Sequence, residues 1–186
     1  MPLSEPQKKV ILSDKRFRVL VTGRRFGKTF IALNELAKFG QYANKKIFYI
    51  SPSYRQSREI MWKPLKEKML EHKWVAKINE TQLTLYLRNG TQISLKGAEN
   101  FDSLRGSSIS LIVMDEAQDI KPEAWYEVLR PTLSDKYTMG SALFCLTPKG
   151  FGNWTYSLFT KKDPEWESFK FTTIEGCLLY TSPSPR

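Results

Sequence analysis

The chain has little of what covalent and metal frameworks need. Among its 186 residues are two cysteines, Cys145 and Cys177, and one histidine, His72. A disulfide scaffold, a Cys/His zinc site and a Ser-His-Asp triad are therefore all poorly supported. No apolar run approaches the roughly 20 residues that span a bilayer, and Met1 to Gln7 lacks the apolar core of a secretory signal. A cytoplasmic protein without a membrane partner is expected. No internal repeat or low-complexity run precedes residue 177, and one domain is the working expectation for a chain of this length.

What is present is an ordinary globular composition with a basic excess. A hydrophobic fraction of 41% beside a charged fraction of 26% argues against both disorder and a membrane class. Lys and Arg outnumber Asp and Glu by 29 to 19, a formal charge of +10 that suits a polyanion such as nucleic acid. A solvated Lys-rich surface has the same composition.

Hydrophobic patterning predicts alternating elements. A short helix is expected near Ser4 to Leu12, a buried strand over Phe17 to Val21, and a helix over Thr29 to Phe39 stopped by Gly40. Lys46 to Ile50 reads as a second strand and Tyr54 to Leu70 as a long helix. This β-α-β-α order implies a parallel sheet with right-handed crossovers. Thr84 to Leu95 places Asn89-Gly90 between two alternating segments, which predicts an inserted β-hairpin with a type I′ turn. Strands over Ser110 to Met114 and Ala142 to Leu146, with helices over Pro122 to Leu129 and Asn153 to Phe159, complete the prediction.

Thr22 to Thr29 reads TGRRFGKT, with Gly27-Lys28-Thr29 between a predicted strand and a predicted helix. The tripeptide alone decides little. In that position, however, backbone N–H groups of the turn and the helix N-terminus converge on one anion site. The loop residues Thr22, Gly23, Arg24, Arg25, Phe26, Gly27, Lys28 and Thr29 are the candidate ATP-binding set. Lys28 would reach the β- and γ-phosphates, and the Thr29 hydroxyl would ligate Mg²⁺. Thr22 stands where G-x-x-x-x-G-K-[ST] expects its first glycine, with Gly23 displaced by one. Arg24 is assigned to the phosphates, as a catalytic as well as a binding candidate. Arg25 is left between that role and solvated surface.

Ser110 to Gln118, SLIVMDEAQ, is an apolar strand ending in Asp115 and Glu116, the arrangement called Walker B. An acid at the carboxyl end of a central strand faces the phosphate loop across the crevice of a parallel sheet. Asp115 is the candidate Mg²⁺ ligand, and Glu116 the residue that orients and deprotonates the attacking water. A helix cap is the alternative use of such a pair.

Taken together, GRRFGKT, SPSYRQSREIMWKPL, LRNGTQISLKGAENFDSLRGSSISLIVMDEA and LTPKGFGNWTYSLF resemble, in order and spacing, the large subunit of tailed-virus DNA-packaging terminases. The resemblance spans Gln7 to Thr173. It implies an α/β fold, a RecA-like P-loop NTPase of the additional-acid type, with a central mainly parallel sheet flanked by helices. It implies ATP hydrolysis, with Mg²⁺, coupled to translocation of double-stranded DNA into a procapsid. The implied partners are the DNA, the portal protein, the small terminase subunit and further copies in a homo-oligomeric ring, all in the host cell cytoplasm. By the same resemblance, Gln7 matches a glutamine that contacts adenine and Thr147 a residue coupling γ-phosphate state to movement. Arg105 matches an arginine inserted in trans by a neighbouring subunit. A turn cap for Thr147 and a surface position for Arg105 are the alternatives. Trp62, Trp74, Trp125 and Trp154 are read as core residues before base-stacking ones.

The last ten residues, CLLYTSPSPR from Cys177 to Arg186, share no hydrophobic period with what precedes them. They are what TGT CTC TTA TAC ACA TCT CCG AGC CCA CGA encodes, which looks like a translated sequencing adapter, and they are excluded from fold reasoning. Residues 1–176 are then expected to be a C-terminally truncated ATPase domain, without the nuclease domain that the resemblance implies. Two other readings stay open: a DEAD-like helicase, since Asp115 to Gln118 spells DEAQ, and a nucleotide- or DNA-binding module without turnover.

Overall fold

In a computed structural model, residues 3–106, 108–134 and 139–176 are described. The chain segment read as translated adapter, 177–186, lies outside them. Eight strands form one sheet: β1 (Phe17–Thr22), β2 (Lys46–Ser51), β3 (Val75–Asn79), β4 (Thr84–Leu87), β5 (Gln92–Gly97), β6 (Leu111–Asp115), β7 (Ser141–Leu146) and β8 (Trp166–Phe171). Their order is β3-β4-β5-β2-β6-β7-β1-β8. All neighbours from β5 to β8 run parallel, and β3-β4-β5 is an antiparallel meander. The mainly parallel α/β fold is the expected one.

The inner strands are largely apolar because both of their faces are covered, with the buried Arg18 of β1 an exception. One face packs Tyr49, Leu111, Val113 and Leu143 against α1 (Glu5–Leu12), α2 (Lys28–Gly40) and the helix over 54–71. The other packs Phe17, Phe48, Phe144 and Trp166 against Trp125 and its neighbours on the helix over 124–132. Trp62 and Trp125 are buried and Trp74 and Trp154 half-buried against these cores, in line with the core reading. Between β1 and α2, Arg18 and Glu35 form an ion pair with side chains 2% and 0% exposed, and Arg18 also donates to Val10 O of α1. Three elements are thereby tied beneath the phosphate loop.

Both longer helices change pitch ahead of a proline. Residues Arg58–Trp62 form a π turn before Pro64, and Ala124–Leu129 do so before Pro131. A proline ring collides with the carbonyl four residues back and offers it no N–H, and a wider turn relieves both defects.

The expected hairpin is formed by β4 and β5, extends the main sheet through β5 paired in parallel with β2, and departs from expectation at its turn. Its turn is not type I′, which requires positive φ at two successive residues. Of Asn89 and Gly90 only Gly90 has it, at +81°. Gly90 N bonds Leu87 O, and Leu87 N bonds Thr91 O, which makes a three-residue loop with Gly90 as the bulge. The cause is the Asn89 carboxamide, which donates to Gly40 O and to the carbonyls of Gln41 and Tyr42 at the end of α2. Two strands went unpredicted. β3 is an exposed edge, and β8 carries aromatic residues on both faces and so shows no clean period.

Candidate active site

The parallel strands β6, β7 and β1 are adjacent and in register, with Asp115 opposite Cys145 and Val21 opposite Leu146. Their carboxyl ends therefore open on one crevice, as the sequence placed them. From β1 the chain enters the 23–27 loop. Arg25 adopts φ +65°, and Gly27, the N-cap of α2, adopts φ +96°. A Cβ on Gly23 would lie 2.4 Å from Thr173 Oγ1, and one on Gly27 2.7 Å from Gln7 Nε2. A side chain at either position would displace that neighbour, and at Gly27 the positive φ adds backbone strain. Gly27 caps α2 without a side-chain bond, which leaves the first N–H groups of a 13-residue helix directed at the crevice.

The loop is braced from both ends of the described chain. Gln7 Nε2 donates to Phe26 O at 3.0 Å, and Gln7 Oε1 accepts from Ser4 N at 3.0 Å. The buried Phe26 ring stacks on Phe171 with centroids 5.4 Å apart, and Thr173 Oγ1 donates to Arg24 O at 3.0 Å. Gln7, assigned to adenine by resemblance, is therefore also a loop support with one amide hydrogen and one lone pair left for a ligand. Phe171 and Thr173 were not predicted. Only pairing of β8 with β1 brings them to the loop.

At the floor of the crevice, Lys28 Nζ donates to Thr147 Oγ1 at 2.7 Å and lies 3.6 Å from Glu116 Oε1. The Thr147 hydroxyl donates in turn to Glu116 Oε2 at 3.0 Å. Gln118 Nε2 reaches the same oxygen at 2.6 Å, while Gln118 Oε1 accepts from Thr147 N at 3.0 Å. Gln118, also unpredicted, thus ties the strand-end acid to the end of β7. Glu116 sits in the left-handed region, at φ +46°, uncommon for a non-glycine residue and concentrated at functional sites. Asp115 is 3% exposed and accepts from Tyr49 Oη at 2.6 Å and from Glu116 N at 3.1 Å. Burial raises the Asp115 pKa, opposed by the Tyr49 hydrogen bond. Burial and Asp115 push the Tyr49 phenol well above its usual range, so it stays a donor. Cys145, opposite Asp115, is fully buried and its thiol is raised likewise, so it has no nucleophilic part.

Lys28, Glu116, Thr147, Asp115 and the start of α2 are thus brought together, with Thr29 half-buried in the first helical turn. Arg24 and Arg25 stand exposed on the loop. Arg105 is not in the cluster. It is 54% exposed and bonded to Asp102 Oδ1 at 3.0 Å and Glu127 O at 3.3 Å. A cavity of about 440 Å³ lies beside Arg105, while a smaller one of about 220 Å³ adjoins Thr147. Converging charged groups locate a phosphate site better than hollow size does.

Do these residues fit ATP and Mg²⁺? The uncapped helix start and Lys28 suit polyphosphate. The buried Thr22 hydroxyl has no hydrogen-bond partner among the described residues. Among the described residues no three Asp, Glu, His or Cys side chains group to hold a metal. Mg²⁺ is commonly held by one or two carboxylates plus phosphate oxygens. Asp115 and Thr29 would be the protein's share.

The comparisons with known proteins agree with this geometry. A family model described as terminase large subunit, T4likevirus-type, N-terminal, matches residues 19–183. The large terminase subunit of Escherichia phage T5 is 31% identical over 170 residues, which are 87% of this chain and 38% of that protein. That of Thermus phage G20c is 42% identical over 64 residues, 34% of this chain and 13% of that protein. The chain spans well under half the length of either relative. The large terminase ATPase domain of Thermus phage P74-26 superposes with a TM-score of 0.77 at 26% identity, covering 91% of this chain and 80% of that one. The large terminase of a thermophilic bacteriophage, in complex with ADP, shares the fold, with a TM-score of 0.78 at 17% identity over 94% of this chain and 46% of that one. A family match over most of the chain, on a P-loop sheet with its strand-end acids in place, makes the chain a member of the terminase large subunit family, from its N-terminal part.

Proposed function

We propose that the chain is the ATP-hydrolysing part of a motor that drives double-stranded DNA into a procapsid. The observation that carries this reading is the contact chain Lys28–Thr147–Glu116 at the mouth of the phosphate loop. The thermophilic bacteriophage's large terminase, which shares the fold, has been solved with ADP and with ATP-gamma-S. Family membership disfavours the helicase alternative suggested by DEAQ.

In this reading the N–H groups opening α2 and the Lys28 ammonium hold the β- and γ-phosphates. Asp115 and Thr29 would hold Mg²⁺, which would neutralise charge on the phosphate oxygens. Glu116 takes a proton from water as its oxygen attacks the γ-phosphorus, and the bond from that phosphorus to the bridging oxygen breaks toward ADP. Arg24 in cis and Arg105 of a neighbouring copy stabilise the transferred charge. Thr147 already touches both Lys28 and Glu116, so a change at the γ-phosphate reaches the end of β7 through it. Gln7 would add a contact to adenine.

The partners are proposed with the function: duplex DNA, the portal protein, the small terminase subunit and further copies of the chain in a ring, in the host cytoplasm. A nuclease would reside in the remaining length that the relatives have. The adapter origin of 177–186 belongs to the same reading, and resequencing the locus tests it.

Glu116→Gln, in a chain of the relatives' length, is expected to retain ATP affinity and lose phosphate release by about 100-fold or more, on the order of one essential proton acceptor. Undiminished turnover would refute the mechanism.

A further inference from the structure

The antiparallel meander packs one face on the core and leaves the other partly open, with Lys77 exposed, Tyr86, Gln92 and Lys96 half-buried, and Thr84 and Ser94 buried. Leu85, Leu87, Ile93 and Leu95 lie in the core beneath α2 and the 54–71 helix. The opposite face of β3, β4 and β5 carries Lys77, Tyr86, Gln92, Ser94 and Lys96, with Thr84 between them, since residues paired across strands share a face. Pairing places Lys77, Tyr86, Gln92 and Lys46 in one row across four strands, about 14 Å at the usual strand spacing.

The lysines on this face are held in place. Lys77 Nζ lies over the Tyr86 ring at 5.9 Å, and Lys46 and Lys96 both lie over the Phe48 ring, at 5.6 and 5.8 Å. Lys46, Lys96, Gln92, Ser94 and Ser103 line a cavity of about 170 Å³, large enough for a phosphate group. Glu80 accepts from Trp62 Nε1 and Lys66 Nζ, and Glu99 from Tyr54 N. Burial and the charge of Lys46 both lower the Lys96 pKa, a cost that an anion placed between the two ammonium groups would relieve.

We propose that this partly open face of β3, β4 and β5 is a contact surface for the phosphodiester backbone of duplex DNA. It rests on the DNA-motor reading above and gives that reading a place on the chain. The ammonium groups of Lys77 and Lys96 on one face, without base-reading geometry, fit a partner recognised by its phosphates and independent of sequence.

The test is the binding of a labelled duplex of mixed sequence across about 50 to 200 mM salt. Three proteins are compared: the chain itself, Lys77→Gln/Lys96→Gln, and Lys121→Gln/Lys162→Gln, which removes the same charge from positions off this face. The first pair is expected to weaken binding to every sequence alike and to flatten the salt slope by about two, one for each lost phosphate contact. The control pair should leave the slope unchanged. An unchanged slope in the first pair, or equal flattening in both, overturns the proposal. So does a face that binds inorganic phosphate while duplex affinity is the same in all three proteins. If the double variant unfolds early, exposed Lys77→Gln alone must still flatten the slope by about one. Nucleotide affinity, measured in the same samples, separates this surface from the ATP site: its absence in the parent chain sinks the motor reading while the slope still judges the face.

Discussion

Tyr49 Oη donates a 2.6 Å hydrogen bond to Asp115 Oδ2, joining a fully buried residue of β2 to the strand-end acid of β6. Tyr49 pairs in register with Val113, so its phenol reaches two residues along the neighbouring strand. With Glu116 N on the other oxygen, the carboxylate plane is fixed before any ligand arrives. Partners behind a metal ligand orient it, and losing one costs about 10- to 100-fold in metal affinity or activity. Tyr49→Phe keeps the ring and removes the donor. The Mg²⁺-dependent part of nucleotide affinity should fall about tenfold, while affinity in chelator is unchanged. An equal fall in both conditions would mean that Tyr49 serves packing alone.

The same burial makes Asp115 a burden on the unliganded fold. Its folded pKa is raised, so between the unfolded and folded values the folded state binds more protons, and stability falls as pH rises through that window. Above it the carboxylate is ionised and desolvated. Asp115→Asn should therefore raise the melting temperature of the unliganded chain at neutral pH, and the gain should shrink as pH is lowered through the window. A melting temperature that drops at neutral pH would show that the Tyr49 and Glu116 N hydrogen bonds outweigh burial.

Neither relationship was legible in the sequence, although Asp115 itself was. The strands were legible because β1, β6 and β7 are covered on both faces and read as compact, mostly apolar runs, and the acids stand where the β6 run ends. Which buried side chain reaches Asp115 depends on the register between β2 and β6, and the long stretch of chain that separates those strands carries no trace of it. Gln118 was quoted within DEAQ, yet its bond to Thr147 N exists only because β6 and β7 end side by side. The hairpin turn failed for a similar reason: Asn89-Gly90 is a sound local signal that α2, distant in sequence, overrides through its carbonyls.

The phosphate loop offers a test of how firmly Gly27 is specified. Its φ of +96° disfavours any side chain, and an added Cβ would stand 2.7 Å from Gln7 Nε2. Gly27→Ala is expected to cost about 2–3 kcal/mol, combining backbone strain with displacement of the brace. In a Gln7→Ala background the steric part vanishes, and the same substitution should cost only the strain, about 1–2 kcal/mol. Chemical denaturation of the four proteins measures the difference, and strictly additive costs would show that Gln7 moves aside freely.

Arg105 tests whether the active site is completed by a second copy. Its guanidinium is 54% exposed, and its hydrogen-bond partners Asp102 and Glu127 lie outside the Lys28–Thr147–Glu116 cluster. A residue so placed contributes nothing to its own crevice, so Arg105→Ala should leave nucleotide affinity unchanged and, in assembled chains of the relatives' length, lower turnover by about 10³-fold or more. Glu116→Gln subunits should be equally inactive for the opposite reason, since they keep the arginine and lack the proton acceptor. Mixed together, the two variants bring an intact Arg105 against an intact Glu116 at some of the subunit boundaries. Turnover should then recover to a measurable fraction of the parent rate, rising and falling with the mixing ratio. Mixtures that stay as inactive as either variant would confine Arg105 to its surface pairs with Asp102 and Glu127.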